Sequence, residues 1–200
     1  LSLVQLIKNE PALRLASLRG ALCFACFSAF WTTLVFLLKQ PQFNMGSDVA
    51  GTFGLTGIFG ALTAGLMGKL SDKTDVYRLS SFTIMLIIIS FIVFKFSGSS
   101  LAGLVIGGIL MDVGVQATHV SNQSIIFALD PTARNRINTV YMVSYFIGGS
   151  SGALLASSVW DKYHWNGVCT IGIALSVIVL IVHLLNHSKM KLHQAAVARL

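Results

Sequence analysis

Gly65-Leu66-Met67-Gly68-Lys69-Leu70-Ser71-Asp72-Lys73 closes one long apolar stretch and opens a short charged link to the next. A tight charged turn between two apolar stretches is what joins two helices that cross a bilayer in opposite directions, because only helices and closed barrels satisfy their backbone groups in lipid. The composition agrees. Of 200 residues, 54% are hydrophobic and 10% charged, and the mean hydropathy is +0.77. A soluble domain carries about 25% charged residues, so the chain belongs to the membrane class.

Working outward from that turn, six apolar spans are expected at 18–38, 49–68, 79–94, 101–127, 137–159 and 167–185. Most approach the ~20 residues that a bilayer crossing needs. The third is short and is expected to borrow residues from both flanks. Residues 1–17 are read as a cytoplasmic linker, 18–185 as a six-helix transmembrane bundle and 186–200 as a cytoplasmic tail. The chain starts with Leu, and no removable signal peptide is read at its start, so a preceding portion is expected.

The cations set the orientation. With both termini on one face, that face holds Lys8, Arg14, Arg19, Lys69, Lys73, Arg78, Arg134, Arg136, Lys189, Lys191 and Arg199, and the other holds Lys39, Lys95 and Lys162. The positive-inside rule puts the first face, and both termini, in the cytoplasm. It also accounts for the net charge of +7 without a nucleic-acid partner. Trp160 and Trp165 fall at the outer end of the fifth and sixth spans, where interfacial aromatics belong. Small residues mark expected packing faces: Gly51, Gly54, Gly57 and Gly60 in the second span, Gly103 and Gly107 in the fourth, and Gly148, Gly152 and Ala156 in the fifth. Cys23 and Cys26 lie in an apolar helix without the surroundings of a redox site and read as core residues.

Of seven acids, Asp112 alone is deep; Glu10, Asp48, Asp72, Asp75, Asp130 and Asp161 fall in loops or at span ends. Asp112 lies about 16 Å along its helix from Leu101 at 1.5 Å per residue, near the bilayer midplane. A charged carboxylate there costs at least about 2.5–3.5 kcal/mol. It should therefore face a cavity or a partner, and a carboxyl that loads and unloads a proton is what proton coupling requires. Gln116, His119 and Gln123 share its helical face, with Asn122 at the border. Such a polar stripe should line an aqueous path or a protein interface.

Three stretches carry a resemblance. They are Gly68-Lys69-Leu70-Ser71-Asp72-Lys73 with Arg78; Asp112-Val113-Gly114-Val115-Gln116 with Asn122-Gln123; and Asp130-Pro131-Thr132-Ala133-Arg134-Asn135-Arg136-Ile137-Asn138 with Tyr141-Met142, Gly148-Gly149 and Trp165. Together they resemble the C-terminal six-helix half of a major facilitator superfamily transporter, of the bacterial drug:proton-antiporter-like kind. The first resembles the family's cytoplasmic G-x-L-x-D-[RK]-x-G-[RK] loop, and departs from it at Asp75, where that loop has glycine. The resemblance implies an all-α integral membrane fold with nested 3+3 inverted repeats, a missing N-terminal six-helix half and a small-molecule substrate. It also implies a bacterial inner-membrane location and a proton gradient as energy source, with no cofactor and no metal. Gly68, Asp72, Lys73 and Arg78 would form a cytoplasmic latch against the missing half. Asp112, Gln116, His119 and Gln123 would line the proton path. Arg134 and Arg136 fall in an inter-helix loop, where they read as topology-setting charge. Efflux by antiport is the leading expectation, and proton-driven uptake by symport is the alternative.

An enzyme is the competing class. Gly149-Ser150-Ser151-Gly152 fits the G-x-S-G nucleophile pattern of rhomboid-type intramembrane proteases, with His183 as the base. Ser151 and His183 differ by about 12 Å in depth at helical rise, whereas a dyad needs hydrogen-bond reach. The chain carries no zinc-protease, Walker or dinucleotide-binding motif.

Overall fold

Pro11 fixes where the first long helix begins. Its ring presets φ, and its missing N–H costs nothing at the first helical position. Helix α2 accordingly runs Pro11–Leu38, starting inside the stretch expected to be linker. Its early turns are packed, with Ala12, Leu13, Leu15 and Ala16 buried. This computed structural model describes residues 3–71 and 74–197, with side chains described except at 47, 50, 69–71 and 187–197. A short α1, Leu3–Asn9, precedes α2. Arg14 Nη1 reaches back to donate to the carbonyls of Ile7 (2.7 Å) and Lys8 (2.6 Å), capping the C-terminal end of α1.

The second span is broken. It consists of α3 (Ser47–Phe53), a 3-10 turn (Gly54–Thr56) and α4 (Gly57–Ser71). The expected glycine packing face is largely corrected here. A Cβ added at Gly51, Gly54 or Gly57 would meet nothing within 4 Å, and only Gly60 packs, against Gln116 and Asp112. A three-residue glycine spacing matches the 3-10 period, and glycine offers no side chain to hold the α register. Asp72 and Lys73 lie outside the described residues.

Helix α5, Val76–Phe96, extends the short third apolar stretch at both ends. Asp75, the departure from the loop motif, is its N-cap: its carboxylate accepts from the Tyr77 amide at 3.0 Å. Helix α6, Leu101–Phe127, is bounded where the apolar pattern predicts and is capped by Ser100, which accepts from the Gly103 amide at 3.3 Å. Helix α7, Arg134–Val197, breaks once, at His164 (φ 47°, ψ −147°).

The two arms of α7 lie side by side on α2. In the first arm, Gly148 abuts the Ala21 backbone and Gly152 the Ala25 backbone, and the Trp160 ring lies 5.7 Å from that of Phe36 at a tilt. This arm runs in the same direction as α2. In the second arm, the Cys26 thiol donates to the Gly172 carbonyl at 3.8 Å, and His183 reaches back to Arg19. That arm returns antiparallel. Among the described residues, five helices are long and apolar enough to cross a membrane, the last being Arg134–Asn186 with 53 residues. Unbroken, it would measure about 80 Å, against a hydrocarbon core of ~30 Å.

Lipid tails are as apolar as leucine, so close packing rather than water exclusion holds such helices together. Small residues let backbones approach, and aromatic rings fill what remains. Gly107 makes room for the Phe94 ring and Gly114 for Ile87. Phe94 in turn stacks on Phe30 at 4.3 Å. Trp160 and Trp165 depart from the interfacial expectation. Both are buried, and Trp165 Nε1 donates to the Phe94 carbonyl at 2.9 Å, over Gly98. They fill the end of the bundle at the His164 turn instead of facing outward, because the fold-back at His164 turns them inward.

Candidate functional site

Helix α6 supplies the centre. Its glycines, Gly107, Gly108 and Gly114, bring α2, α5 and the 3-10 turn close around it, so a polar side chain on α6 is enclosed by protein. Asp112 is 2% exposed, the one described acid that is buried. Its Oδ2 lies 2.8 Å from Thr56 Oγ1. The Trp31 indole approaches the same carboxyl from α2 but falls short of hydrogen-bond geometry. Asp112 Oδ1 and Trp31 Nε1 are therefore both buried without a partner. Gln116, one turn on, is half-buried beside Gly60.

His119 is half-buried and belongs to a second polar group. Its Nδ1 lies 3.0 Å from the Tyr141 hydroxyl. Asn122 Nδ2 donates to that oxygen at 3.5 Å, which leaves the phenol hydrogen free for His119. Tyr141 is fully buried against Gly20, where a Cβ would come within 2.8 Å of its Cε2 and hydroxyl. Asp112 and Gln116 thus meet α4, His119 meets α7, and Gln123 is half-buried on the same helix. The expected stripe is one helix face with two different sets of partners.

The other expected site residues are peripheral. Arg78 is exposed, 4.0 Å from Asp75, a surface pair of the kind worth about 0–1 kcal/mol. Gly68 is half-buried on α4, while the latch residues Asp72 and Lys73 are not described. Arg134 Nε donates to the Phe127 carbonyl at 3.1 Å, capping α6. Arg136 stands near Asp130, whose carboxyl the Thr132 hydroxyl and amide hold below the usual carboxylate range. These contacts fit a structural loop. The proposed protease pair is not assembled. Ser151 is exposed on a groove with Asn138 and Phe146, whereas both ring nitrogens of His183 are engaged elsewhere.

That engagement is what sequence reasoning missed. Arg19, taken as a cytoplasmic-face charge, is 1% exposed inside the bundle. Its Nη1 lies 2.9 Å from His183 Nδ1, and its guanidinium sits 5.9 Å from the Tyr77 ring centroid. A guanidinium only donates, so Nδ1 accepts and the ring hydrogen sits on Nε2, which faces the Tyr77 carbonyl and Ser81 Oγ, each at 3.0 Å. A neutral imidazole therefore ties α2, α5 and the returning arm of α7. Removing the acceptor of a buried donor costs about 1–3 kcal/mol, and more where the donor is charged, while an apolar replacement of both partners can be nearly neutral. His183→Leu should lower the thermal unfolding midpoint of the complete protein sharply, and Arg19→Met added to it should restore most of the loss.

With this geometry in hand, the comparisons with known proteins are consistent. The Major Facilitator Superfamily profile matches residues 20–197. The chain is 39% identical to an uncharacterized transporter, YgaY, of Escherichia coli over 181 residues, covering 90% of this chain and 46% of that protein. It is 32% identical to SCO4007 of Streptomyces coelicolor, described as a probable transporter, over 168 residues, 83% of this chain and 39% of that protein. The chain thus spans less than half the length of these curated relatives. No solved structure matched it. Helices long enough to cross a bilayer, a buried intramembrane acid and a profile match over most of the length lead to one conclusion: the chain belongs to the major facilitator superfamily and is an integral membrane protein.

Proposed function

We propose that this chain is half of a secondary transporter that exports a small organic compound in exchange for protons by alternating access. One observation carries the reading. Asp112 is an acid buried at mid-helix with a hydroxyl partner and, among the described residues, no cation acting on it, and an intramembrane acid is functional by default. In this reading the arms of α7 on either side of His164 are separate crossings, six in all, built as nested 3+3 inverted repeats. Both termini lie on the cytoplasmic side of a bacterial inner membrane. A second six-helix half covers the exposed faces of α4 and of the first α7 arm, and Gly68, Asp72, Lys73 and Arg78 latch against it. Asp112 carries the proton, and Gln116, His119 and Gln123 line its path.

Reconstituted vesicles of the complete transporter, acidified inside and loaded with a pH-sensitive dye, test the direction. Adding a transported compound should collapse the imposed gradient. Medium alkalinisation when the compound is added to de-energised vesicles would instead establish symport. Lack of any compound-dependent proton movement across a broad panel would sink proton coupling.

A further inference from the structure

Thr56 Oγ1 lies 2.8 Å from the Phe53 carbonyl oxygen and 2.8 Å from Asp112 Oδ2. A hydroxyl has one hydrogen to give. Two full bonds at that length need a second hydrogen, and a protonated Asp112 supplies it. The carboxylic acid then donates from Oδ2 to Thr56 Oγ1, and Thr56 donates onward to Phe53. The remaining carbonyl oxygen, Oδ1, keeps no partner of its own. We propose that Thr56 transmits the protonation of Asp112 to the broken second span, by switching its one hydrogen between the Phe53 carbonyl and the carboxylate. This rests on Asp112 being the proton carrier.

The consequence follows from counting hydrogens. When Asp112 gives its proton to water, the carboxylate can only accept. The Thr56 hydrogen turns to it, because a bond to a charged group is about twice as strong as a neutral one. The Phe53 carbonyl then loses the Thr56 bond. That carbonyl sits where α3 meets the 3-10 turn, a place already short of α-type bonds: the Gly57 amide reaches the Gly54 and Leu55 carbonyls rather than that of Phe53. Gly51, Gly54 and Gly57 flank it in open space, so the backbone can re-form in another register at little steric cost. A 3-10 stretch within a helix often marks a functional hinge.

Among the described residues, no charged group acts on the Asp112 carboxyl. Trp31 and Phe30 face the site from α2 and Thr56 and Gly60 from the broken span, while the α5 hydroxyls of Thr83 and Ser90 are turned to Thr118 and Met111 instead. None titrates in the working range. On α6 itself the next titratable residue is His119, which is turned to Tyr141 and Tyr145.

Hydrogen exchange on the complete transporter in lipid nanodiscs reads the switch without needing a substrate. Amides of 49–58 are compared at acid and alkaline pH after correction for the intrinsic rate. The native protein and Thr56→Ser should exchange about five- to tenfold faster once Asp112 is ionised, the scale of one hydrogen bond. Thr56→Val and Asp112→Asn should show no such pH dependence. Should Thr56→Val fold poorly, Thr56→Ala in infrared difference spectra gives a second test. The protonated-carboxyl band, identified by its loss in Asp112→Asn, should shift upward when its hydroxyl acceptor is removed. A Thr56→Val protein with native pH dependence, or a carboxyl band unmoved in Thr56→Ala, overturns the proposal. So does the absence of that band, which would mean the hydroxyl is shared with an ionised carboxylate. Transport by Asp112→Asn is measured separately, so failure of the switch and failure of the proton-carrier assignment give different results.

Discussion

Asp112→Asn should lower proton-driven transport by the complete transporter about 5- to 150-fold, the range of a coupling free energy of about 1–3 kcal/mol. Exchange of substrate across the membrane without a proton gradient should persist. The substitution is chosen to spare the fold. An amide has the shape of the protonated carboxyl, and its Nδ2 can donate to Thr56 Oγ1 as the acid does, leaving the Thr56 bond to Phe53 intact. What it removes is the ability to lose a proton. A structural acid would behave differently, because its replacement by the matching amide would leave exchange and proton-driven flux in their native ratio. Parallel measurement of both fluxes in one preparation therefore separates the roles. Unchanged proton-driven flux would remove Asp112 from the mechanism.

Local patterns exposed part of this arrangement and long-range contacts hid the rest. The apolar lengths mark α5 and α6 closely, since a bilayer imposes a length on whatever crosses it. Asp112 stands out because a single acid in a span is expensive wherever the helix packs. Arg19 and His183 do not stand out. They meet across 164 residues of sequence, and an arginine at the very start of an expected span looks like an ordinary positive-inside residue. A sharper signal was available in the length of α2: once Pro11 is taken as the helix start, Arg19 falls two turns inside it and needs a partner. Thr56 was hidden by its glycine neighbours, which draw the eye to backbone packing. The tryptophans were misplaced for a similar reason, since an outer-end position is shared by interfacial and inward-facing rings, and only the fold-back at His164 chooses between them.

Glycines at similar helical spacing meet opposite surroundings, and substitution should separate them. At Gly152 the neighbour is the Ala25 backbone, and at Gly148 the Ala21 backbone. Backbone cannot rotate away as a side chain can, so any Cβ there must push α2 and the first arm of α7 apart along their shared length. Overpacking typically costs about 1–3 kcal/mol, and occasionally more. Gly152→Val, with two further methyls at a contact between main chains, should exceed that range and abolish recovery of folded transporter from detergent. Gly152→Ala should fold with a clearly lowered unfolding midpoint. Ser151→Ala, one residue away and exposed, should stay within about 0.5 kcal/mol of the native protein. Gly51 is the informative contrast. A Cβ there meets nothing in this chain, and alanine is about 0.8–1 kcal/mol more favourable than glycine inside a helix, so Gly51→Ala should stabilise if that face is bare. A loss comparable to that of Gly152→Ala would mean instead that a surface outside this chain packs directly against the backbone at Gly51, which is where a second half of the transporter would have to lie.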